Sequence, residues 1–166
     1  MRILLIALAF LGSSMMPAKA TDFAGLAQKL VLEGFGKMDL GLVEQFYAKD
    51  ENMRFADADG PFHKGFQNYR GWLETVFAQG VTDQSFDMKD INTYAIGPEH
   101  HVSTMIIYST VKQSDQETIY TTRLSLVWRA NEQAPFGQEI VHEHFSVYSG
   151  RFASKLGYDE FGPIAK

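Results

Sequence analysis

The chain of 166 residues contains no cysteine. That absence excludes disulfide bonds, thiolate zinc sites, iron–sulfur clusters and cysteine nucleophiles, so packing and hydrogen bonds must hold the fold together. There is also no run of Lys or Arg, and the net charge is −5. This argues against nucleic acid as a partner, because phosphate backbones require a basic surface. GxSxG, GxGxxG and P-loop motifs are missing as well, and no cofactor is predicted.

The composition that remains is typical of one globular domain. Hydrophobic residues make up 45% of the chain, aromatic residues 13% and charged residues 21%. This hydrophobic content is enough to close a core. The length is close to the usual size of a single compact domain.

The N-terminal segment has the pattern of an export signal. A basic residue precedes an apolar run over residues 3–11, and a small-x-small tripeptide ends at Ala20. We therefore predict a cleaved signal peptide over residues 1–20, a mature domain over 21–148 and a tail over 149–166. The apolar run is about half the ~20 residues that a transmembrane helix needs, so an uncleaved anchor is the less favoured alternative. The predicted location is periplasmic or secreted, with no membrane association after cleavage.

Apolar spacing divides the mature chain into a helical part and a strand part. Apolar residues recur every three or four positions over residues 22–37, 39–47 and 66–80, which predicts three amphipathic helices. A short strand over 53–57 and an extended piece over 62–64 precede the third helix. Further along, the period changes to two, which predicts four long strands. These span Ser85–Ile96, His101–Lys112, Glu117–Arg129 and Gln138–Tyr148.

The short connections between these four strands imply antiparallel neighbours. The predicted fold class is α+β, with three N-terminal helices packed on a curved antiparallel sheet to form a cone with an internal pocket. One strand carries apolar groups on both faces, with Ile106 and Tyr108 on one and Met105 and Ile107 on the other. Such a strand needs two covers, so we predict a homodimer through the face that the helices leave open.

Several segments resemble a known superfamily. Residues 46–50 read FYAKD before a strand, and Gly65 opens an amphipathic helix. Residues 126–129 and 140–146 read LVWR and IVHEHFS on either side of a turn. Over about residues 22–148, this arrangement resembles the nuclear-transport-factor-like superfamily, which includes SnoaL-like proteins, ketosteroid isomerases and the association domain of calcium/calmodulin-dependent kinase II. The resemblance implies a cystatin-like α+β roll, a fold that hosts isomerases, cyclases, hydrolases and non-catalytic modules.

Two functions fit this resemblance. In the first, an exported SnoaL-like domain binds a small hydrophobic molecule in its pocket and performs cofactor-free acid–base chemistry. In the second, the same fold dimerises or binds a ligand without turnover. The closest register places Val31 where the isomerases have a tyrosine in the first helix, which argues against steroid isomerisation by the same oxyanion hole.

Asp57 is the first candidate catalytic residue. It shares a face of the predicted short strand with Met53 and Phe55, and desolvation by apolar neighbours makes a carboxylate a stronger base. Its position roughly matches the base of the ketosteroid isomerases. The alternative is that Asp57 caps the turn over residues 59–61.

The last predicted strand supplies the second candidate. His142 and His144 share one face of this strand, while Glu143 and Phe145 share the other. If the histidines face the pocket, His144 can act as acid or base, and we include His142, Glu143 and Phe145 among the pocket candidates. No spacing supplies a third ligand, so no metal site is predicted. In the alternative, the histidines hydrogen-bond across the sheet or at the dimer face, and Glu143 and Phe145 point into the cone.

Large side chains, several with polar tips, complete the predicted pocket for a small-molecule ligand. They are Tyr47, Phe55, Trp72, Tyr94, Tyr108, Leu124, Leu126 and Trp128. Residues of this kind also form plain core, and in a cone the core and the pocket are continuous.

Overall fold

The computed structural model describes residues 20–56, 62–79, 81–113, 116–147, 158–159 and 162–163. The export signal predicted for residues 1–20 lies outside this part except for its last position, and it stays a prediction. In the part of the chain that is described, no helix is both long and apolar enough to cross a membrane.

In this part of the chain three helical segments form, as the apolar spacing predicts. They are α1 (Phe23–Gln28, continuing as a π-helix over Lys29–Phe35), α2 (Leu40–Val43, ending in a 3-10 turn over Glu44–Phe46) and α3 (Phe66–Phe77). The carboxylate of Asp22 accepts a hydrogen bond from the backbone N–H of Gly25 at 2.9 Å. Asp39 accepts one from Leu42 at the same distance. The first two helices therefore begin at an acidic N-cap, which satisfies backbone donors that have no partner within the helix.

Eight strands form two sheets within the described residues. They are β1 (Arg54–Ala56), β2 (Phe62–Lys64), β3 (Val81–Ala95), β4 (His100–Gln113), β5 (Gln116–Ala130), β6 (Gln138–Val147), β7 (Tyr158–Asp159) and β8 (Gly162–Pro163). The last two pair with each other, and the other six form one sheet in the order β2-β1-β6-β5-β4-β3. The predicted antiparallel meander of four long strands is confirmed.

Strand β1 departs from the predicted antiparallel sheet. It runs parallel to β6, with Phe55 opposite Glu143, so the sheet is mixed and not wholly antiparallel. The chain leaves β1 through β2 and α3 and enters the meander at the far edge. Because no hairpin joins β1 to β6, no turn forces the two strands to run in opposite directions. This placement gives β6 a neighbour on each side.

The apolar core lies between the helices and the face of the sheet that they cover, which we call the inner face. Buried side chains alternate along β5 as predicted, and on β4 the buried set contains Met105 and Ile107. Burying one side chain of this size contributes about 1.5–3 kcal/mol. The core includes Ala27, Leu30, Val31, Phe46, Leu73, Leu124, Leu126 and Trp128. On the opposite, outer face of β4, Ile106 and Tyr108 are half-buried.

Gly65 determines where α3 begins. Its φ of +78° lies in the left-handed region that favours glycine, and a Cβ there would lie 3.1 Å from the backbone of Glu51. Its N–H donates to the carbonyl oxygen of Met53 at 2.9 Å. These constraints place Tyr69, one turn into α3, against Phe55 of β1, with 4.5 Å between the ring centroids.

Candidate functional site

A cavity of about 160 Å³ lies between the helices and the inner face of the sheet. The helices and the segment after α1 contribute Val31, Phe35, Met38, Tyr69, Trp72, Leu73, Val76 and Phe77. The sheet contributes Gln84, Phe86, Ile107, Ser109, Thr122 and Phe145. Trp72 and Phe145 are thus the two predicted pocket residues that line it. A concave, largely apolar surface with a few polar groups is the usual character of a small-molecule site.

The wall at the end of α1 has an unusual backbone. α1 ends in a π-helix, and Met38, just beyond it, has a φ of +52° although it is not glycine. The side-chain amide of Gln84 donates to the carbonyl oxygen of Phe35 and so ties this helix end to β3. π-helical turns and left-handed non-glycine residues are enriched at functional sites, and here both border the cavity.

A buried carboxylate lies behind the cavity wall. The side chain of Glu143 on β6 is only 1% exposed. Its Oε2 accepts a hydrogen bond from the hydroxyl of Tyr47, and its Oε1 accepts one from the hydroxyl of Tyr69. A buried charge is tolerated only when such bonds replace its water. Because Tyr69 also lines the cavity, Glu143 is one hydrogen bond away from it.

The strand pairing explains why Glu143 points inward. It lies in register between Phe55 on β1 and Leu126 on β5, both fully buried. Tyr47 reaches the same point because it follows α2 and forms a single β-bridge with Ile140 of β6. The tyrosine hydroxyls therefore approach the carboxylate from different elements, one after α2 and one on α3.

His63 and Tyr69 also belong to this region, and the sequence pattern assigns neither of them to the pocket. The His63 ring, on β2, is 8% exposed and lies 5.0 Å from the Trp72 ring and 5.7 Å from the Tyr69 ring. The apolar spacing of α3 marks Tyr69 as a core position. Its second role as a donor to Glu143 depends on a contact between residues 74 positions apart, which local spacing does not reveal.

The environment of Tyr47 keeps its hydroxyl protonated. Burial is the largest cause that raises the pKa of Tyr47 well above its ordinary value of 10.0, followed by the negative charge of Glu143 and by Tyr69. A neutral phenol remains a hydrogen-bond donor, so Tyr47 can hold the carboxylate over the whole working pH range.

Stability should therefore fall at high pH through Tyr47. The unfolded chain releases the Tyr47 proton near pH 10 while the folded protein keeps it, so the stabilisation is complete below pH 10. It is lost as the pH rises toward the folded pKa, by about 1.4 kcal/mol per pH unit. Urea unfolding between pH 8 and 11 would measure this slope. The Tyr47→Phe variant should lose stability less steeply, and equal slopes for the two proteins would contradict the assignment.

The remaining predicted pocket residues fall into two groups. Phe55, Leu124, Leu126 and Trp128 are fully buried core residues on the inner face. Tyr94 and Tyr108 are instead on the outer face, and Tyr94 is 55% exposed. The reason is the alternation along β4, where odd-numbered residues face inward and even-numbered residues face outward. Tyr108 is therefore on the outer face. Tyr94 is there too, because it pairs with Val102, which faces outward.

The two histidines of β6 are also placed outside the cavity. His144 is exposed, and His142 donates from its Nδ1 to the backbone carbonyl oxygen of Arg54 at 2.8 Å. Both side chains face away from Glu143 because alternate residues of a strand point to opposite faces. This arrangement matches the alternative in which Glu143 and Phe145 point into the cone. Asp57 lies outside the described residues.

No group of three His, Asp or Glu side chains is placed to hold a metal ion in the described ranges. Among the same described residues, the polar groups in and beside the cavity are the Glu143 carboxylate with its two tyrosines, the His63 ring, and the hydroxyl and amide groups of the sheet wall.

Comparison with known proteins finds a likeness in structure. No family model and no curated relative matches the chain. An NTF2-like superfamily protein from Salmonella enterica serovar Typhimurium is similar with a TM-score of 0.65 and 19% identity, over 76% of this chain and 87% of that one. The CaMKII hub of S. rosetta has a TM-score of 0.65 and 16% identity, over 80% and 100%. Hexachlorocyclohexane dehydrochlorinase LinA-type3 from Novosphingobium barchaimii has a TM-score of 0.63 and 8% identity, over 76% and 84%.

Proposed function

Since the chain has the fold of the nuclear-transport-factor-2-like superfamily, as its sequence predicts, we propose that its cavity binds a small hydrophobic molecule and performs cofactor-free acid–base chemistry. The observation that carries the proposal is the buried carboxylate of Glu143, hydrogen-bonded to a tyrosine that lines the cavity. A fully buried charge is costly, and a purely structural core does not require one. The likeness to a dehydrochlorinase is compatible with such chemistry.

The geometry supports a proton path of two steps. Tyr69 lies between the cavity and Glu143, so its oxygen can accept a proton from a bound molecule while its own hydroxyl proton moves to Oε1 of Glu143. The electron pair of the broken bond stays on the substrate. Tyr69 is thus the proposed catalytic residue, Glu143 is the final proton acceptor, and Tyr47 positions the carboxylate. Asp57 stays a second candidate base from the sequence.

Exchange of the ligand's hydrogens with solvent deuterium tests this proposal. It detects the removal of a proton from a bound molecule, whatever product is formed afterwards. Untargeted mass spectrometry of molecules that co-purify with the protein would identify a ligand, which is then incubated with the protein in D2O. NMR would follow deuterium uptake at its acidic positions. We expect Glu143→Gln to slow this exchange by at least about 100-fold, the usual contribution of a general base, while ligand affinity changes little.

The matched control is Glu33→Gln, which alters a solvent-exposed carboxylate paired with Lys29 on α1 and should leave exchange unchanged. Unaltered exchange in Glu143→Gln would remove this residue from the mechanism. Binding without any exchange in the wild-type protein would favour the alternative function, a ligand-binding module without turnover.

We also propose that the chain forms a homodimer through the outer face of the sheet. Tyr94, Val102 and Val127 form an apolar row across three strands, and the half-buried Ile106 and Tyr108 lie further along β4. Strands β3 to β6 offer roughly 600 Å² of face, given about 4.8 Å between strands and 3.3 Å per residue. That is close to the ~800 Å² per partner of a standard interface. Light scattering should give a dimer mass, and a clean monomer at micromolar concentration would contradict the proposal.

A further inference from the structure

We infer that the cavity selects a neutral, single-ring molecule that carries a hydroxyl group, an inference that rests on the proposed function and names its substrate class. Four features of the cavity support it: its size, the character of its walls, the lack of basic side chains among its described lining residues, and the position of two buried hydroxyl groups.

The size of the cavity favours a ligand of one ring. Its volume is about 160 Å³, and a cavity of about 150 Å³ lined by apolar side chains holds benzene. A six-membered ring with a short substituent therefore fills this volume, and a second fused ring would extend beyond it into solvent. Tyr69, Leu73 and Ile107 of the cavity lining are each 2% exposed core residues, so this part of the wall does not move outward without loss of stability.

The walls favour a flat apolar ring. Phe35 meets Phe77 and Phe145 edge to face, with centroid distances of 6.4 and 6.0 Å. Tyr69 and Trp72 stack at 5.8 Å with 17° between their planes. These rings offer both edges and faces to the cavity, which are the two arrangements that an aromatic ligand prefers.

The charge of the site favours a neutral ligand. None of the described residues that line the cavity is Lys, Arg or His. An anionic ligand would therefore enter without a counter-charge and would face the carboxylate of Glu143 behind Tyr69. A cationic ligand would lose its hydration without direct contact with that carboxylate, because both Glu143 oxygens already accept tyrosine hydrogen bonds.

Two hydroxyl groups on the sheet wall favour a ligand that also has one. Ser109 and Thr122 are 5% and 9% exposed and line the cavity from neighbouring strands. They are diagonal neighbours, because Thr122 pairs with Ile107, two residues before Ser109. Leu126, the strand partner of Glu143, is four residues along β5 from Thr122. The hydroxyl pair is therefore roughly 13 Å along the strand from the level of Glu143. A ligand hydroxyl bound at this pair leaves the opposite side of the ring facing Tyr69.

Calorimetric titration with five compounds tests the inference at pH 7. Benzyl alcohol represents the inferred class. Toluene lacks its hydroxyl group, benzoate is an anion, benzylamine is a cation, and 2-naphthalenemethanol has a second ring. We expect benzyl alcohol to bind about fivefold more tightly than toluene, which corresponds to one hydrogen bond, and at least about tenfold more tightly than the other three. Tighter binding of benzoate, benzylamine or 2-naphthalenemethanol would overturn the inference.

Substitutions in the cavity show which residues cause the preference for benzyl alcohol over toluene. Ser109→Ala combined with Thr122→Val removes only the hydroxyl groups, so benzyl alcohol should fall to the affinity of toluene, and toluene should be unaffected. Val76→Phe should fill the cavity and abolish binding, whereas Leu32→Phe, at a 42% exposed position on α1, should not. If the double variant binds benzyl alcohol as the wild type does, the hydroxyl assignment is wrong.

The same titrations separate this inference from the proposed function. If 2-naphthalenemethanol binds best and Val76→Phe abolishes its binding, the cavity is a ligand site but the single-ring class is wrong. If no compound binds the wild-type protein, both the ligand class and the cavity as a binding site are contradicted.

Discussion

Replacing Glu143 with alanine is expected to lower the free energy of unfolding by about 3–5 kcal/mol, the usual effect of removing one partner from a buried charged network. The substitution removes two hydrogen bonds to a carboxylate and leaves the hydroxyl groups of Tyr47 and Tyr69 without their acceptor. It also opens a small cavity at a fully buried position. Urea unfolding monitored by tryptophan fluorescence would measure the loss.

A matched variant distinguishes the loss of one partner of the cluster from the loss of the whole cluster. Glu143→Leu combined with Tyr47→Phe and Tyr69→Phe replaces the whole polar cluster with apolar groups of similar size. Its stability should lie within about 1 kcal/mol of the wild type, because such replacements are often neutral or stabilising. Glu33→Ala, on the solvent-exposed side of α1, should change stability little. A loss below about 1 kcal/mol in Glu143→Ala would contradict the hydrogen-bonded cluster.

Measuring both the stability of the triple variant and the hydrogen exchange of its ligand shows whether the polar cluster serves folding or chemistry. If the apolar triple variant is as stable as the wild type but fails to promote hydrogen exchange, the cluster contributes chemistry and not stability. Polar groups that are unnecessary for folding are characteristic of functional sites. Equal exchange in the triple variant would instead show that the cluster takes no part in proton removal from the ligand.

The helices and strands could be predicted because the spacing of apolar residues that identifies each of them lies within a short stretch of sequence. The spacing of Leu26, Leu30 and other apolar residues predicts α1, and alternation on Leu124, Leu126 and Trp128 predicts both β5 and its buried face. The register of β1 could not be predicted in this way. Arg54 pairs with His142 in a parallel sense, and nothing near either residue in the chain encodes a contact over that separation.

The candidate site could be predicted only in part, for two physical reasons. Alternation on β6 shows that Glu143 and His144 face opposite ways, but it does not decide which of them faces inward, because both sets mix polar and apolar groups. That choice follows from pairing with Phe55 and Leu126. In addition, Tyr47 lies 96 positions from Glu143, so their hydrogen bond is a product of packing.

Introducing acidic residues on the outer face should convert the proposed dimer into monomers. In Val102→Glu combined with Ile106→Glu, two carboxylates replace apolar side chains on that face. Because a two-fold interface repeats each substitution, four charges would be buried against each other. We expect the dimer dissociation constant to rise by roughly 1,000-fold, or about 4 kcal/mol, since like charges within an interface cost several kcal/mol. Sedimentation equilibrium over a dilution series would measure it.

The two substituted positions are chosen so that the fold of the single subunit is unaffected and only the dimer interface changes. The carboxylate introduced by Ile106→Glu would stand between Lys89 and Arg123, the residues paired with Ile106, so the isolated sheet gains opposite charges and not repulsion. Gln67→Glu, on an exposed position of α3, adds acidic charge away from this face and should leave the dimer intact. The cavity lies on the other side of the sheet, so benzyl alcohol should bind the monomeric variant as it binds the wild type. Loss of both dimer and ligand would instead mean that the cavity depends on the partner subunit.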